Sequence, residues 1–348
     1  MSALVTGATG FVGSHLVRAL AGGHEPVCAL VRPGADATAL EALGVEVVRG
    51  DLRDPDASRR AARGCRAIYH AAALTSHASA PASAIFETNV DGTRHLAEAA
   101  LDAGVERLVF CSAVKVFGVS RVGTIVEDTP RAPASQYAHS KALAEDLLLD
   151  LAARRGLPVV VARLGGMFGP GAVGWLGLFQ AIAAGRFRML GRGEGRYQAA
   201  DVADVVDGLL RCGETPGIEG RVYHLTGAEP VRLAELIAMI ADEVGGAPLP
   251  RPLPAAPLAA YGGLQRVAMR LGRSLPRFGR VEFFLGDRVF DIGRARRELG
   301  YAPRTDLRTS VARTAVWFRE RGLLPAPSEG GGYIRPPWKT GPSTPPAP

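Results

Sequence analysis

A chain of 348 residues, 47% hydrophobic and 22% charged, is too long for one small module and too apolar for wholesale disorder. Its formal charge of +7 is regional: residues 1–250 carry 24 basic and 27 acidic side chains, whereas residues 251–321 carry 15 and 6. That late excess is spread along helices, and the first 250 residues weakly repel polyanions, so no nucleic-acid partner is expected.

In chain order, apolar runs predict strands at Ala3–Thr6, Pro26–Val31, Val45–Arg49, Ala67–His70, Arg107–Cys111 and Pro158–Arg163. Helical patterns fill the intervals at Phe11–Ala21, Pro55–Ala62, Ser83–Ala103 and Ser135–Arg155. Strict alternation gives right-handed βαβ units and a parallel sheet covered on both faces. The expected fold is α/β: a doubly wound, parallel-sheet Rossmann domain over residues 1–170. Helices at Val173–Ala184, Asp201–Arg211, Leu233–Val244, Gly293–Leu299 and Leu307–Gly322, with a strand at Val222–Leu225, predict a smaller mixed α/β substrate lobe. That lobe spans 171–323, is interleaved with the Rossmann sheet, and is interrupted by a proline-rich loop at 247–257. Residues 324–348, rich in Pro and Gly, read as a disordered tail.

The first strand runs into Gly7-x-x-Gly10-x-x-Gly13, whose glycines permit a tight turn and close backbone approach. The following helix offers free N–H groups and the positive end of its dipole to a pyrophosphate. Spacing alone proves little, because 43 glycines produce this pattern by chance about 0.6 times per chain. A second copy, Gly171–Gly177, follows Gly169-Pro170, contains Trp175 and reads as an irregular loop. Context therefore selects Gly7, Thr9, Gly10, Phe11, Val12 and Gly13 as the dinucleotide turn. At the end of the second strand, Arg32 occupies the place of an acidic ribose ligand and favours NADP over NAD; a solvated surface arginine is the alternative. Asp51 and Leu52, after the third strand, are candidates to meet the adenine, with a helix-capping role for Asp51 as the other reading.

Tyr137-x-x-x-Lys141 is rarer, expected by chance about 0.06 times from seven tyrosines and three lysines. A chain that uses arginine almost throughout uses lysine here, where a compact ammonium differs from a guanidinium. Residues i and i+4 share a helix face, so the two side chains point together. Leu143, Leu147 and Leu151 are then expected to supply the packing face. A phenol is a poor base at neutral pH unless a cation stabilises its phenolate, a role open to Lys141, which also suits a nicotinamide ribose. Tyr137 is thus the expected general acid/base for a substrate hydroxyl or carbonyl.

These motifs, together with GDL at 50–52, HAAA at 70–73, ETNVDGT around Asn89, RLGGMFGPG at 163–171, RYQAADVADVV at 196–206 and DRVFDIGRARRELGYAP at 287–303, resemble the extended short-chain dehydrogenase/reductases of the NAD-dependent epimerase/dehydratase group, the hydroxysteroid-dehydrogenase-like members most closely. The resemblance covers about residues 3–322. It implies that Ala71, Ala72, Ala73 and Asn89 line the cofactor groove and that residues 164–168 wall the nicotinamide. It also implies a homodimer through Ser83–Ala103 and Ser135–Arg155. Two departures stand out. The Ser or Thr that usually completes the catalytic set falls on Ala113, leaving Ser112, one residue early, as the nearest hydroxyl; Thr75, Ser76 or water are the alternatives. The Asn that contacts a sugar-nucleotide diphosphate falls on Gly166, while Phe117 and Phe168 replace common tyrosines.

The expected function is an NAD(P)-dependent oxidoreductase acting on a secondary alcohol or ketone of a bulky, lipophilic small molecule. A nucleotide-sugar epimerase or dehydratase with retained NAD, and a non-catalytic dinucleotide-binding sensor or scaffold, are the competing readings. The basic amphipathic run Leu258–Arg273 suits either a lid, contact with a membrane surface, or packing on the body. Cys28, Cys65, Cys111 and Cys212 lack metal-ligand spacing, so no metal is expected and the thiols read as reduced, cytoplasmic ones. No apolar run reaches 18 residues and no leader pattern precedes the first motif, which also favours the cytoplasm.

Overall fold

The computed structural model describes residues 2–23, 25–75, 81–118, 123–245, 251–254 and 287–325. Seven strands form one sheet: β1 (Ser2–Thr6), β2 (Val27–Val31), β3 (Glu46–Arg49), β4 (Cys65–His70), β5 (Arg107–Ala113), the strand Val159–Leu164 and the strand Val222–Leu225. With β6 (Thr124–Ile125) intervening as a short outlying strand, the last two are β7 and, after β8 (Gly166–Phe168), β9 (Arg196–Tyr197) and β10 (Ala199–Asp201), β11. The order β3-β2-β1-β4-β5-β7-β11 is parallel throughout and reverses direction of growth between β1 and β4, the crevice where a doubly wound sheet takes its ligand.

Alternation along β1 divides the core. Ala3 and Val5 face one layer, which also contains Leu16, Val205, Leu209 and Tyr301, while Leu4 faces Ile68, Leu96, Phe110 and Leu148 on the other. The first layer is built by α1 (Phe11–Ala21) and, later in the chain, α8 (Val202–Glu214) and α10 (Gly293–Leu299). The second is built by α3 (Pro55–Ala62), α5 (Gly92–Asp102) and α6 (Gln136–Arg155). A separate core gathers Phe168, Phe179, Ile237 and Phe318 from β8, α7 (Leu176–Ala183), α9 (Leu233–Val244) and α11 (Leu307–Glu320). The second half of the chain thus supplies both a new core and one strand and two helices of the Rossmann body.

Two expectations are corrected. The predicted helix Ser83–Ala103 is broken into α4 (Ala82–Phe86), a π-helical turn Glu87–Asp91 and α5. The wide turn brings Asn89 inward, and π turns of this kind recur at functional sites. On α6, the buried positions are Ala138, Ser140, Lys141, Ala142, Ala144, Glu145 and Leu148, and Leu143 is 40% exposed. Of the leucine series only Leu143 points outward and Leu151 still packs on the core, because the inner face is formed by Ala144 and Leu148 together with the buried Glu145–Arg163 ion pair. Leu258–Arg273 and the tail beyond residue 325 lie outside the described residues.

Candidate active site

At the crevice, β1 ends in Thr6 and the chain turns through Gly7, whose φ of +70° suits a residue without a Cβ. A Cβ on Gly7 would lie 2.7 Å from Ala72 N, and one on Gly13 would lie 2.1 Å from Gly7 O. Both glycines are therefore required by backbone contact. Gly10 N donates to Gly7 O at 2.9 Å and Gly10 caps α1 without a side-chain hydrogen bond; no acidic residue sits in the first turn. The N–H groups of Phe11, Val12 and Gly13 consequently remain open to a phosphate, beside the exposed Thr9 and Gly10. Phe11 also packs on Gly171, and His15 Nε2 meets Pro170 O at 2.7 Å, tying the turn to the start of the second glycine pattern. That second pattern does enter a helix, α7, but through a 3-10 turn in which Trp175 stacks on Phe168.

The opposite wall, Ala71–Ala73, is fixed by a buried chain of hydrogen bonds. Ala72 N donates to Thr6 Oγ1 at 3.2 Å, and Thr6 Oγ1 meets His70 Nδ1 at 2.7 Å. His70 Nε2 meets Thr93 Oγ1 at 2.9 Å, and Thr93 Oγ1 donates to Asn89 O at 2.7 Å. Because Thr93 spends its one proton on that carbonyl, the histidine proton sits on Nε2 and Nδ1 accepts from Thr6. Burial pushes the His70 pKa down to about 3, so the ring stays neutral. Asn89 is itself buried; its amide clamps Leu74 through both backbone groups (2.8 and 3.0 Å) and donates to Ser140 Oγ at 2.9 Å, bracing the wall against α6.

At the position expected to meet the adenosine, Arg32 is exposed just past β2, and its side chain has no ion-pair partner among the described residues. Asp51 is held by Arg53 at 2.9 and 2.8 Å; that hydrogen bond, with a contribution from Arg32, lowers its pKa. Leu52 is buried against Gly92, so its side chain belongs to the core.

Ser135 caps α6 by accepting from Ala138 N at 3.2 Å, and Gly156 ends the helix in the left-handed region. On its first turns Tyr137 is half-buried and Lys141 is 2% exposed. Neither Tyr137 Oη nor Lys141 Nζ has a hydrogen-bond partner among the described residues. Lys141 Nζ lies 4.3 Å over the Phe110 ring, and burial lowers its pKa to about 8. Burial, reinforced by the nearby Cys111, pushes the Tyr137 phenol up to about 12. In the cofactor-free cleft, then, Tyr137 holds its proton, and no lowering by Lys141 operates. The three expected catalytic residues are not equally available: Ser112 is 3% exposed and donates to Glu145 Oε1 at 2.5 Å.

Glu145 and Arg163, which the sequence reading passed over, form the anchor under this helix. Arg163 donates to Glu145 at 2.8 and 3.0 Å and to Glu127 O at 2.7 Å, and Arg131 adds a bond to Glu145 at 3.0 Å. Their signal was present: Arg163 is a charge inside the otherwise apolar run Val159–Leu164, and Glu145 stands four residues after Lys141. Two further residues meet the cleft. Lys115 Nζ lies 5.7 Å from the Tyr137 ring centroid, and a Cβ on Gly166 would lie 2.3 Å from Tyr197 Oη. Among the described residues, no group of three or more His, Cys, Asp or Glu is placed to hold a metal, and no helix is long and apolar enough to cross a membrane.

The pattern of the NAD dependent epimerase/dehydratase family matches residues 3–225. Sterol demethylase protein B of Methylococcus capsulatus is 34% identical over 93% of this chain and 100% of its own. The 4-hydroxy-2-methyl-3-oxo-4-farnesyl-3,4-dihydroquinoline-1-oxide ketoreductase of Stigmatella aurantiaca is 34% identical over 87% and 92%. The solved structure of MoeE5 in complex with UDP-glucose and NAD superposes with a TM-score of 0.71 at 28% identity, covering 92% of this chain and 99% of that one. On the strength of that match, and of a crevice built from the same motifs, the chain belongs to the NAD-dependent epimerase/dehydratase family and is an enzyme of the extended short-chain dehydrogenase/reductase class.

Proposed function

We propose that the protein is an NADP-preferring oxidoreductase that interconverts a secondary alcohol and a ketone on a bulky, lipophilic small molecule. The glycine turn fits a dinucleotide: Gly7 and Gly13 leave no room for a Cβ, and the first N–H groups of α1 are open. Gly7, Gly10, Phe11, Val12 and Gly13 would hold its pyrophosphate, Arg32 the 2′-phosphate, and Lys141 the nicotinamide ribose. When bound, the nicotinamide supplies or accepts the hydride. The chain's own task is the proton. Tyr137, protonated at neutral pH, donates from Oη to the ketone oxygen during reduction and takes that proton back during oxidation. In the oxidative direction the Lys141 cation would stabilise the phenolate and so make it available to accept that proton.

One observation carries the choice of substrate. Gly166 leaves no side chain to contact a sugar-nucleotide diphosphate, and the space beside it is taken by the Tyr197 hydroxyl, which a larger residue would have to displace. The named activities of the sterol demethylase and ketoreductase relatives point the same way. The likeness to a structure holding UDP-glucose and NAD supports a second reading, an epimerase or dehydratase with retained NAD. Both readings are tested by thermal-shift and turnover measurements with NAD, NADP, 3β-hydroxysteroids, terpenoid alcohols and UDP- or dTDP-sugars. Stabilisation by NADP, net cofactor reduction with an apolar alcohol and indifference to nucleotide sugars are expected. Purification with bound NAD and response only to nucleotide sugars would establish the second reading instead.

A further inference from the structure

A ketone that accepts a proton from Tyr137 builds negative charge on its oxygen as the hydride arrives, and a second donor aimed at that oxygen lowers the barrier. The strand end nearest the phenol lacks one. Ala113, the last residue of β5, ends in a methyl group and is 9% exposed. Ser112 points its hydroxyl to Glu145, whose other oxygen is already bound by two arginines. That hydroxyl is held by a buried carboxylate and is a poor donor to anything else.

The next turn of chain supplies a candidate. The 3-10 turn Val114–Phe117 buries Val116 and Phe117 and turns Lys115 outward to the cleft. Its ammonium sits over the Tyr137 ring and has neither a carboxylate nor a hydrogen-bond partner among the described residues. Surrounding protein and the charge of Arg288 lower the Lys115 pKa, as befits a cation facing no anion. Lysine is used at only three positions in a chain with 41 basic residues, and Lys115 is the one whose ammonium lies over Tyr137.

We infer that Lys115 is a catalytic residue whose Nζ donates a charge-assisted hydrogen bond to the reacting substrate oxygen, doing what neither Ala113 nor Ser112 does. This rests on the oxidoreductase reading. No redox change falls on the lysine: it stays protonated while Tyr137 alone transfers the proton.

The test uses the full chain with NADPH and trans-1-decalone, an apolar bicyclic ketone, as the probe pair, plus binding of cyclohexanecarboxylate, whose anionic oxygens imitate the developing charge. Lys115→Met is expected to lower kcat about a hundredfold while KM changes less than about threefold. It should also weaken cyclohexanecarboxylate by about tenfold or more. Adding Ala113→Ser to Lys115→Met should restore about tenfold of the lost rate, since a hydroxyl then stands at the strand end. A Lys115→Met enzyme with wild-type kcat, or carboxylate binding equal in both proteins, overturns the inference. Tyr137→Phe in parallel separates the two claims: loss of turnover there with none in Lys115→Met sinks Lys115 alone. Undiminished turnover in Tyr137→Phe, or no turnover in the wild type, sinks the oxidoreductase reading and the inference with it.

Discussion

Lys141 carries its charge at a cost in stability. Burial lowers its pKa from 10.5 to about 8, so below pH 8 the amine is protonated in folded and unfolded chains alike and the penalty is borne in full. As pH rises from 8 to 10.5 the folded amine is neutral while the unfolded one still binds a proton, and stability increases. Lys141→Met is therefore expected to stabilise the cofactor-free protein by about 1–3 kcal/mol at pH 7 while removing activity. Urea unfolding should show that gain shrinking above pH 8; a destabilised variant at pH 7 would contradict it. Tyr137 and Lys141 were legible because four-residue spacing and a scarcity of lysine both act locally. The commitment of Ser112 was not, since its partner Glu145 lies 33 residues away and only the packing of α6 on β5 joins them.

At the level of elements, the turn from β1 into α1 leaves the least freedom. Gly13→Ala would drive a methyl group into a backbone carbonyl rather than a yielding side chain. It is expected to weaken NADP by about tenfold or more, seen as loss of the cofactor-dependent rise in Tm. An unchanged NADP titration would show that the turn does not hold the pyrophosphate. Helices were readable from their apolar spacing: α1, α3, α9 and α10 begin and end where it indicates. The two-residue strands β6, β9, β12 (Val231–Arg232) and β13 (Val289–Phe290) were not, because each exists only through a partner distant in sequence. The orientation of α6 was misread for a related reason: its inner face is held by Arg163, and the sequence of the helix does not contain its partner.

For the whole molecule, the outward Leu143 of α6 tests the dimer that the family resemblance implies. Leu143 is 40% exposed and Leu147 and Leu151 are partly so, on one of the two helices expected to join protomers. If the protein is a dimer, Leu143→Glu is expected to convert it to monomer in light scattering while lowering folding stability by no more than about 1 kcal/mol. A wild-type monomer, or a variant that stays dimeric, would remove this interface.

The sheet itself is completed late. β7 pairs with β5 on one flank, but its other flank receives β11 only at Val222–Leu225, and Tyr301 then seals the layer by donating to Thr226 O at 2.9 Å. During synthesis at about 5–20 residues per second, that flank stands open for several seconds after β7 leaves the ribosome. For that interval the growing chain carries a dinucleotide crevice at the centre of an unfinished sheet, with a raw edge as receptive to a neighbouring nascent chain as to its own strand. The seven-stranded sheet is therefore not a separable unit in time: its last strand is delivered by the same stretch of chain that builds the second core.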